Sequence, residues 1–214
     1  GQVFKISVFL GRPEGNGLRE ITPMYFHARL ERVFLSMTIA AAVFLLYAVA
    51  GWAFDKDDLE RLMATGKCPG CDLTGANLVH ASLQDAILTR AKMADVVLTG
   101  AALFDADLSG ADLTGAKLCN TRLFDAKLTN AKLINADLSG AKLLGARLTG
   151  ADLSRACLIK ADLTGANLTG ANLTAADLTR AVVSQANFSQ AKLSHAVWPD
   201  GKPCRAGSVG ACRK

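Results

Sequence analysis

Apolar and polar residues follow a strict five-residue period from Cys71 to Trp198. The unit repeats twenty-six times, and its typical form is Ala-Asp-Leu-Thr-Gly, as in residues 111–115. The central residue, counted in steps of five from Leu73, is Leu except at Met93, Val183, Phe188 and Trp198. Two places earlier stands Ala, except at Cys71, Val96 and Thr121. An unbroken repeat of this kind indicates a solenoid.

The five-residue period predicts strands and excludes an α-helix. A helix turns about 100° per residue, so steps of five would distribute the leucines over every face. In an extended segment, Ala and Leu two residues apart point the same way, and the residue between them, such as Asp72 or Lys92, points outward. The last position is often Gly or Asn, as in Gly100 and Asn120, and these residues tolerate left-handed backbone angles. Each unit is therefore predicted to be a very short strand followed by a turn.

The motif Ala-(Asp/Asn)-Leu-x-x resembles that of the pentapeptide-repeat family over residues 71–198, about three fifths of the chain. The resemblance implies an all-β solenoid, a right-handed β-helix of square cross-section with four pentads per coil. Twenty-six pentads would then form about six and a half coils.

Four pentads per coil would stack residues twenty apart, and the outward positions support this arrangement. Residues 72, 92, 112, 132, 152, 172 and 192 read Asp, Lys, Asp, Lys, Asp, Asn, Lys. Opposite charges at strand spacing stabilise neighbouring strands. A pentad period alone does not require this alternation, so it is independent support for four sides.

The residues before the repeat predict export. Residues 1–23 are a mixed segment with several Gly and are expected to be a disordered or non-native leader. Residues 24–50 have the three parts of a signal peptide: basic residues near Arg29, an apolar run 33–49, and a small-x-small site before Gly51. The alternative is an uncleaved N-terminal hydrophobic helix over residues 33–54, the one part of the chain expected to enter a membrane.

Both alternatives place the repeat outside the cytoplasm. Arginines precede the apolar run, whereas Asp55, Asp57 and Asp58 follow it. We therefore expect a protein that is exported, either periplasmic or anchored in the inner membrane.

Each end of the solenoid is predicted to carry a cap, because an uncovered end exposes apolar core and unpaired strand edges. Residues 51–70 form the N-terminal cap, with a short helix between Asp55 and Gly66 whose start and end carry the residues preferred there. Residues 199–214, beginning with Pro-Asp-Gly, are expected to be a looped C-terminal cap.

The six cysteines divide into two close pairs and two single residues. Cys68 and Cys71 form a CxxC motif, and Cys204 and Cys212 form a second pair at the opposite end of the repeat. Their separation excludes one shared zinc site, and an exported protein favours two local disulfides. A thiol–disulfide redox role for the CxxC motif is an alternative, although the βαβ context of thioredoxins is missing. Cys119 and Cys157 are expected to be free thiols.

Charge and composition argue against several functions. The net charge is +5, but the repeat contains seven Lys and five Arg against eleven Asp, a net charge of +1. With few Tyr and Trp as well, no nucleic-acid partner is predicted. A filled interior leaves no catalytic pocket, so we expect no enzyme activity, no cofactor and no metal site.

One face of the predicted solenoid is a candidate interface. Stacking by twenty places Phe104, Phe124 and Leu144 in an outward column, which forms an apolar strip. Beside it stand the acidic residues Asp85, Asp105 and Asp125, whose repulsion a partner carrying Arg or Lys, or calcium, would relieve. The alternative is a surface ladder of the two phenylalanines, with Arg122 and Lys142 neutralising the aspartates.

The preferred function is a non-enzymatic interaction or scaffold module of the cell envelope, which binds an unknown protein partner through a flat wall. The resemblance also implies an alternative, a rod that mimics DNA and inhibits or protects DNA gyrase. That role would require a cytoplasmic location and an acidic surface. The sequence predicts neither the partner nor the oligomeric state.

Overall fold

The structure is a computed structural model that describes residues 54–214. The leader 1–23 and the proposed signal peptide or anchor 24–50 lie outside the described residues. Among residues 54–214, no helix has the length and apolar character needed to cross a membrane.

Residues 67–197 form a solenoid in which parallel bridges join residues twenty apart. The bridges run from Lys67↔Ile87 to Asp177↔Val197, and each pentad contributes a single bridging residue and no longer strand. Four such ladders run along the coil. We call them walls 1 to 4, after the ladders that contain Asp72, Asn77, Ser82 and Ile87. The solenoid predicted from the repeat is confirmed.

Four backbone hydrogen bonds recur in most pentads of the solenoid. In the coil around Leu113, its N–H donates to the carbonyl of Lys132, at 2.7 Å, and the N–H of Lys132 donates back to Ala111, at 2.9 Å. The Ala116 N–H donates to the Leu113 carbonyl, at 3.0 Å, and closes a tight turn. The Gly115 N–H donates to the Ile134 carbonyl at 2.9 Å. Three bonds between coils and one turn bond therefore satisfy most of the backbone of each short side.

Every turn requires a positive φ at the last residue of the pentad. Glycines such as Gly115 have φ 68°, and other residues adopt similar angles, for example Arg155 at 59° and Ala175 at 59°. The requirement comes from the four-sided coil. The last residue of the pentad is the third residue of the β-turn that leads from one wall to the next, and this turn needs a left-handed residue there. The sequence predicted Gly and Asn at this position, but residues of several other types also adopt the left-handed conformation there.

The interior contains the Ala and central Leu side chains, most of which are fully buried. Thr121 replaces an inward Ala, and its buried hydroxyl donates to the Leu98 carbonyl at 2.8 Å. Towards the C-terminal end the packing loosens, and Val183 and Ala186 are only partly buried. There Phe188 and Trp198 meet edge to face, with 5.2 Å between their ring centroids.

Helix α1, Lys56–Thr65, covers the first coil. Asp55 caps its N-terminus by accepting hydrogen bonds from the N–H groups of Asp57 and Asp58, and Gly66 ends it in the left-handed conformation. The side chain of Leu62 is buried against the coil, and Asp58 Oδ2 accepts the Asp72 N–H at 2.7 Å. The helix thus supplies both apolar cover and a hydrogen-bond acceptor to the open end.

The C-terminal segment after Trp198 folds back over walls 1 and 2 of the last coil. It makes two antiparallel bridges, Lys192↔Val209 and Val197↔Pro203. The Leu193 N–H donates to Ser208 at 2.8 Å, and the His195 N–H donates to Cys204 at 3.1 Å. These bonds pair a strand edge that would otherwise be exposed.

Candidate interaction wall

Wall 3 carries the residues that the sequence predicted as an interface. Its outward ladder contains Ala102, Arg122 and Lys142, with bridges Ala102↔Arg122 and Arg122↔Lys142. Two residues after each ladder position stand Phe104, Phe124 and Leu144, followed at the corner by Asp105, Asp125 and Gly145. The wall therefore presents three parallel columns, which are cationic, apolar and acidic in this order across the wall.

The two phenylalanines stack on each other. Their ring centroids are 5.3 Å apart with an interplanar angle of 20°. Arg122 reaches the Phe104 ring, with its guanidinium carbon 5.2 Å from the ring centroid. Ala102, although it occupies an outward position, is only 1% exposed. The phenylalanines are thus half-buried in a small surface cluster.

Leu144 continues the column beyond Phe124 and is 41% exposed. The apolar strip of Phe104, Phe124 and Leu144 is therefore contiguous, with its most accessible part at Leu144. A contiguous exposed apolar strip marks an interaction surface more often than a single exposed residue does.

Asp85, Asp105 and Asp125 are exposed at the corner beside this strip, and all have positive φ, between 54° and 56°. The Asp125 carboxylate lies over Gly145, in the space that a Cβ atom would occupy there. None of the ion pairs among residues 54–214 includes these three aspartates. The stacked rings agree with the alternative of a surface ladder, although Arg122 lies over the Phe104 ring and forms no ion pair with the aspartates.

Wall 1 behaves differently, because its charges pair within the chain. Lys92 reaches Asp72 at 3.5 Å, and Lys132 reaches Asp112 at 3.4 Å, in each case one coil away. The Asn172 amide donates to Asp152 at 3.0 Å in the same ladder. Most ladder charges of wall 1 thus pair within the chain, whereas on wall 3 Lys142 has only Asp162 beside it and Arg122 has no carboxylate next to it on its ladder.

Both cysteine pairs are bonded as disulfides in the structure, Cys68–Cys71 at the N-terminal cap and Cys204–Cys212 at the C-terminal cap. Cys68 and Cys71 are buried, and the Arg61 guanidinium lies 2.8 Å from the Cys71 sulfur. Asp58 approaches both sulfurs closely enough to suggest a three-ligand cluster. However, its oxygens already accept hydrogen bonds from Arg61 and from the Asp72 N–H. The geometry therefore favours a structural disulfide at the start of the first coil, in contact with Asp58 and Arg61 of helix α1.

Cys119 and Cys157 are free and lie on wall 2. The Cys119 thiol donates to Asp137 Oδ2 at 2.8 Å, and Cys157 contacts the Ser139 hydroxyl at 3.1 Å. Burial, together with the hydrogen bond to the Asp137 carboxylate and its charge, raises the pKa of Cys119 to about 11. Cys119 is thus a protonated, weakly nucleophilic thiol at neutral pH. Stacking by twenty does not reveal this diagonal contact, which sequence reasoning missed.

Comparison with known proteins identifies the family. The family model described as "Pentapeptide repeats" matches eight copies, over residues 68–103, 101–143, 131–170 and 166–197. The chain belongs to the pentapeptide-repeat family. A right-handed β-helical solenoid is the fold of this family, which agrees with the ladders of the structure. Among curated proteins, none matches the chain.

Solved structures that match the chain include pentapeptide-repeat proteins of cyanobacteria. Rfr23 from the cyanobacterium Cyanothece 51142 is 31% identical, over 66% of this chain and 97% of that one, with a TM-score of 0.44. HetL from Nostoc sp. strain PCC 7120, involved in heterocyst differentiation regulation, is 31% identical over 59% and 78%, with a TM-score of 0.25. Full-length QnrB1, a plasmid-mediated fluoroquinolone resistance protein, is 18% identical over 61% and 71%, with a TM-score of 0.28.

Proposed function

We propose that this protein is a non-enzymatic interaction module of the cell envelope, and that wall 3 binds its protein partner. The observation that carries the proposal is the apolar strip of the half-buried Phe104 and Phe124 and the exposed Leu144, bordered by charges that form no ion pair within residues 54–214. An apolar centre with a charged border is the usual composition of a protein interface. The ring stack and Arg122 pre-organise this surface, which lowers the entropy lost on binding.

The location in the envelope rests on the sequence before the repeat. The apolar run 33–49 and the small residues before Gly51 support export, and two disulfides suit an oxidising compartment. Mass spectrometry of the mature protein should find an N-terminus at or near Gly51. An intact N-terminal segment in carbonate-washed membranes would instead indicate the anchor, and a full-length protein in the cytoplasm would contradict export.

Two other functions have less support. A DNA mimic requires an acidic surface, whereas the repeat carries a net charge of +1, from twelve Lys and Arg against eleven Asp. A redox role requires an accessible CxxC, whereas Cys68 is 0% and Cys71 is 1% exposed. We therefore propose that the protein has no enzymatic activity and needs no cofactor.

The decisive experiment removes the aromatic pair of wall 3. The double change Phe104→Ser and Phe124→Ser should abolish crosslinked capture of the main partner from envelope extracts. The matched control is Ile134→Ser with Ile159→Ser, because these half-buried residues occupy the equivalent pentad position on walls 1 and 2. Both double variants should fold, as judged by far-ultraviolet circular dichroism. Capture that survives the phenylalanine change would show that wall 3 is not the interface.

A further inference from the structure

Wall 3 has opposite charges on its two edges. Arg122 and Lys142 stand on the ladder side, and Asp85, Asp105 and Asp125 stand on the corner side. The apolar column of Phe104, Phe124 and Leu144 lies between the two edges. Elsewhere, as on wall 1, cations and carboxylates share one ladder and pair along it. On wall 3, Lys142 has Asp162 beside it on the same ladder, whereas Arg122 and the three corner aspartates have no opposite charge next to them in their own columns.

This separation makes wall 3 complementary to itself under one particular symmetry. A two-fold axis parallel to the solenoid axis places two walls face to face and exchanges their edges. The cationic edge of each copy then faces the acidic edge of the other, and each level of the apolar column meets the same level of its counterpart. An antiparallel two-fold would instead set acidic edge against acidic edge. Charge complementarity therefore selects the parallel arrangement.

The levels of the charged groups fit this arrangement. Arg122 does not extend straight outward, because its guanidinium lies over Phe104, one coil nearer the N-terminus. It is therefore at the level of Asp105, which is exposed on the opposite edge. Lys142 is one coil, about 4.8 Å, from the level of Asp125, a distance that a lysine side chain spans. Arg122 can thus meet a carboxylate of the second copy, and Lys142, which lies beside Asp162 of its own chain, can also reach one.

We propose that two copies of this chain pair side by side and parallel through wall 3, with Phe104, Phe124 and Leu144 at the centre and Arg122–Asp105 and Lys142–Asp125 contacts between the copies. The proposal rests on the proposed function, since it assigns a partner to the same wall. One wall over three coils is a small interface, at the lower end of the range for specific complexes. The dimer should therefore be weak and sensitive to salt, because exposed charges contribute to it.

Charge reversal provides a direct test. Asp105→Lys with Asp125→Lys makes both edges cationic, and Arg122→Glu with Lys142→Glu makes both edges acidic. A lysine at the corner positions is compatible with the backbone, since Lys160 adopts φ 58° at an equivalent corner. In sedimentation equilibrium of the full chain, each variant alone should dimerise at least tenfold more weakly than the original chain. An equimolar mixture of the two variants should recover dimerisation, because every edge then faces the opposite charge.

A control on wall 1 and a crosslink at Leu144 test whether wall 3 itself forms the dimer. Asp95→Lys with Arg155→Glu changes corner residues on wall 1 and should leave dimerisation unchanged. In a Cys119→Ser, Cys157→Ser background, Leu144→Cys should crosslink to its own counterpart under oxidation. A chain that is monomeric at all concentrations, or a mixture that fails to recover dimers, would overturn the dimer. If the Phe104→Ser, Phe124→Ser variant still lost its envelope partner, the proposed function would stand and only the dimer would be wrong.

Discussion

At the scale of single residues, the square coil forces a left-handed backbone on side chains that do not favour it. Arg155, Lys160, Ala175 and Gln185 all have φ between 58° and 59°. An L-residue in this region costs about 1–2 kcal/mol relative to an ordinary conformation. Asp and Asn reduce this cost by local hydrogen bonding, whereas Ala has no such compensation. The fold is stable despite this strain because neighbouring coils fix every turn.

The strain predicts opposite effects at two corners. Ala175→Gly should raise the free energy of unfolding by about 0.5–1 kcal/mol, since the relief of strain exceeds the greater freedom of glycine in the unfolded chain. Gly165→Ala should lower it by about 1 kcal/mol, although no atom lies within 4 Å of the added Cβ. Gly115→Ala should lower it further, because the Asp95 carboxylate occupies that space. Urea unfolding measures all three changes, and equal effects at Gly165 and Gly115 would contradict the packing argument.

Cys119 allows a second prediction at the residue scale. Burial and the Asp137 carboxylate raise its pKa to about 11, from the ordinary value of 9.0. Alkylation of Cys119, measured by mass spectrometry in a Cys157→Ser background, should therefore rise with a midpoint near pH 11. Asp137→Asn should shift the midpoint towards 9.0. Because the folded pKa is raised, the thiol also contributes stability that is complete below pH 9 and is lost towards pH 11. An unchanged midpoint in the asparagine variant would exclude the carboxylate as a cause.

At the scale of the pentad, the Asp-Leu-Thr sequence is a hydrogen-bonded turn. Asp162 Oδ1 accepts the Thr164 N–H at 3.2 Å and its hydroxyl at 2.7 Å. Asn172 makes the same two bonds with Thr174, at 3.2 and 2.7 Å. The outward position therefore does more than face solvent, since its side-chain oxygen organises the turn that follows. This explains why Asp or Asn often occupies the outward position and why a hydroxyl residue often follows the leucine.

The turn can be tested at Asp162. Asp162→Asn should be nearly neutral at pH 7, whereas Asp162→Leu should cost about 1–2 kcal/mol, because two acceptor contacts are lost. The Thr164 hydroxyl and N–H, together with the charge of Lys142, outweigh burial and hold the pKa of Asp162 below 3.8. A lowered folded pKa contributes stability that is present above 3.8 and is lost as the pH falls through the folded value. Urea unfolding at pH 7 and pH 3 should show a smaller pH dependence for the asparagine variant. The same pH dependence in both proteins would exclude this turn as its source.

The pattern of inward and outward residues was sufficient to predict the solenoid and the column order of wall 3. A period of five places Phe104, Phe124 and Leu144 in register once residues twenty apart are stacked. It could not predict that Arg122 lies over Phe104, or that Cys119 bonds diagonally to Asp137. Those contacts depend on side-chain rotamers, which can bring a side chain next to a column other than the one that the five-residue period assigns to it. The positive φ at Arg and Gln corners was likewise missed, because tertiary packing overrides their local preference.

At the scale of the whole molecule, each coil contacts mainly the coils before and after it. The ladder bonds always join residues about twenty apart, and no described bridge connects more distant coils. The stability of such a solenoid is approximately a sum of coil terms and interfaces between neighbouring coils. Helix α1 and the segment after Trp198 stabilise only the first and last coils. The number of coils should therefore be adjustable without a change of fold.

This additivity predicts the outcome of removing one complete coil. Deletion of residues 151–170 joins Gly150 to Ala171, which keeps the pentad register and leaves wall 3 intact from Asp85 to Gly145. The shortened chain should unfold cooperatively, with a lower free energy of unfolding because one coil and one interface are lost. Deletion of residues 151–168 removes two residues fewer but inserts Thr169 and Gly170 between complete pentads. That insertion interrupts the run of inward side chains and should separate the unfolding of the two halves. Circular dichroism during urea unfolding distinguishes the two variants. If the variant that lacks residues 151–168 unfolded cooperatively and with the same stability as the variant that lacks residues 151–170, pentad register would not couple the coils.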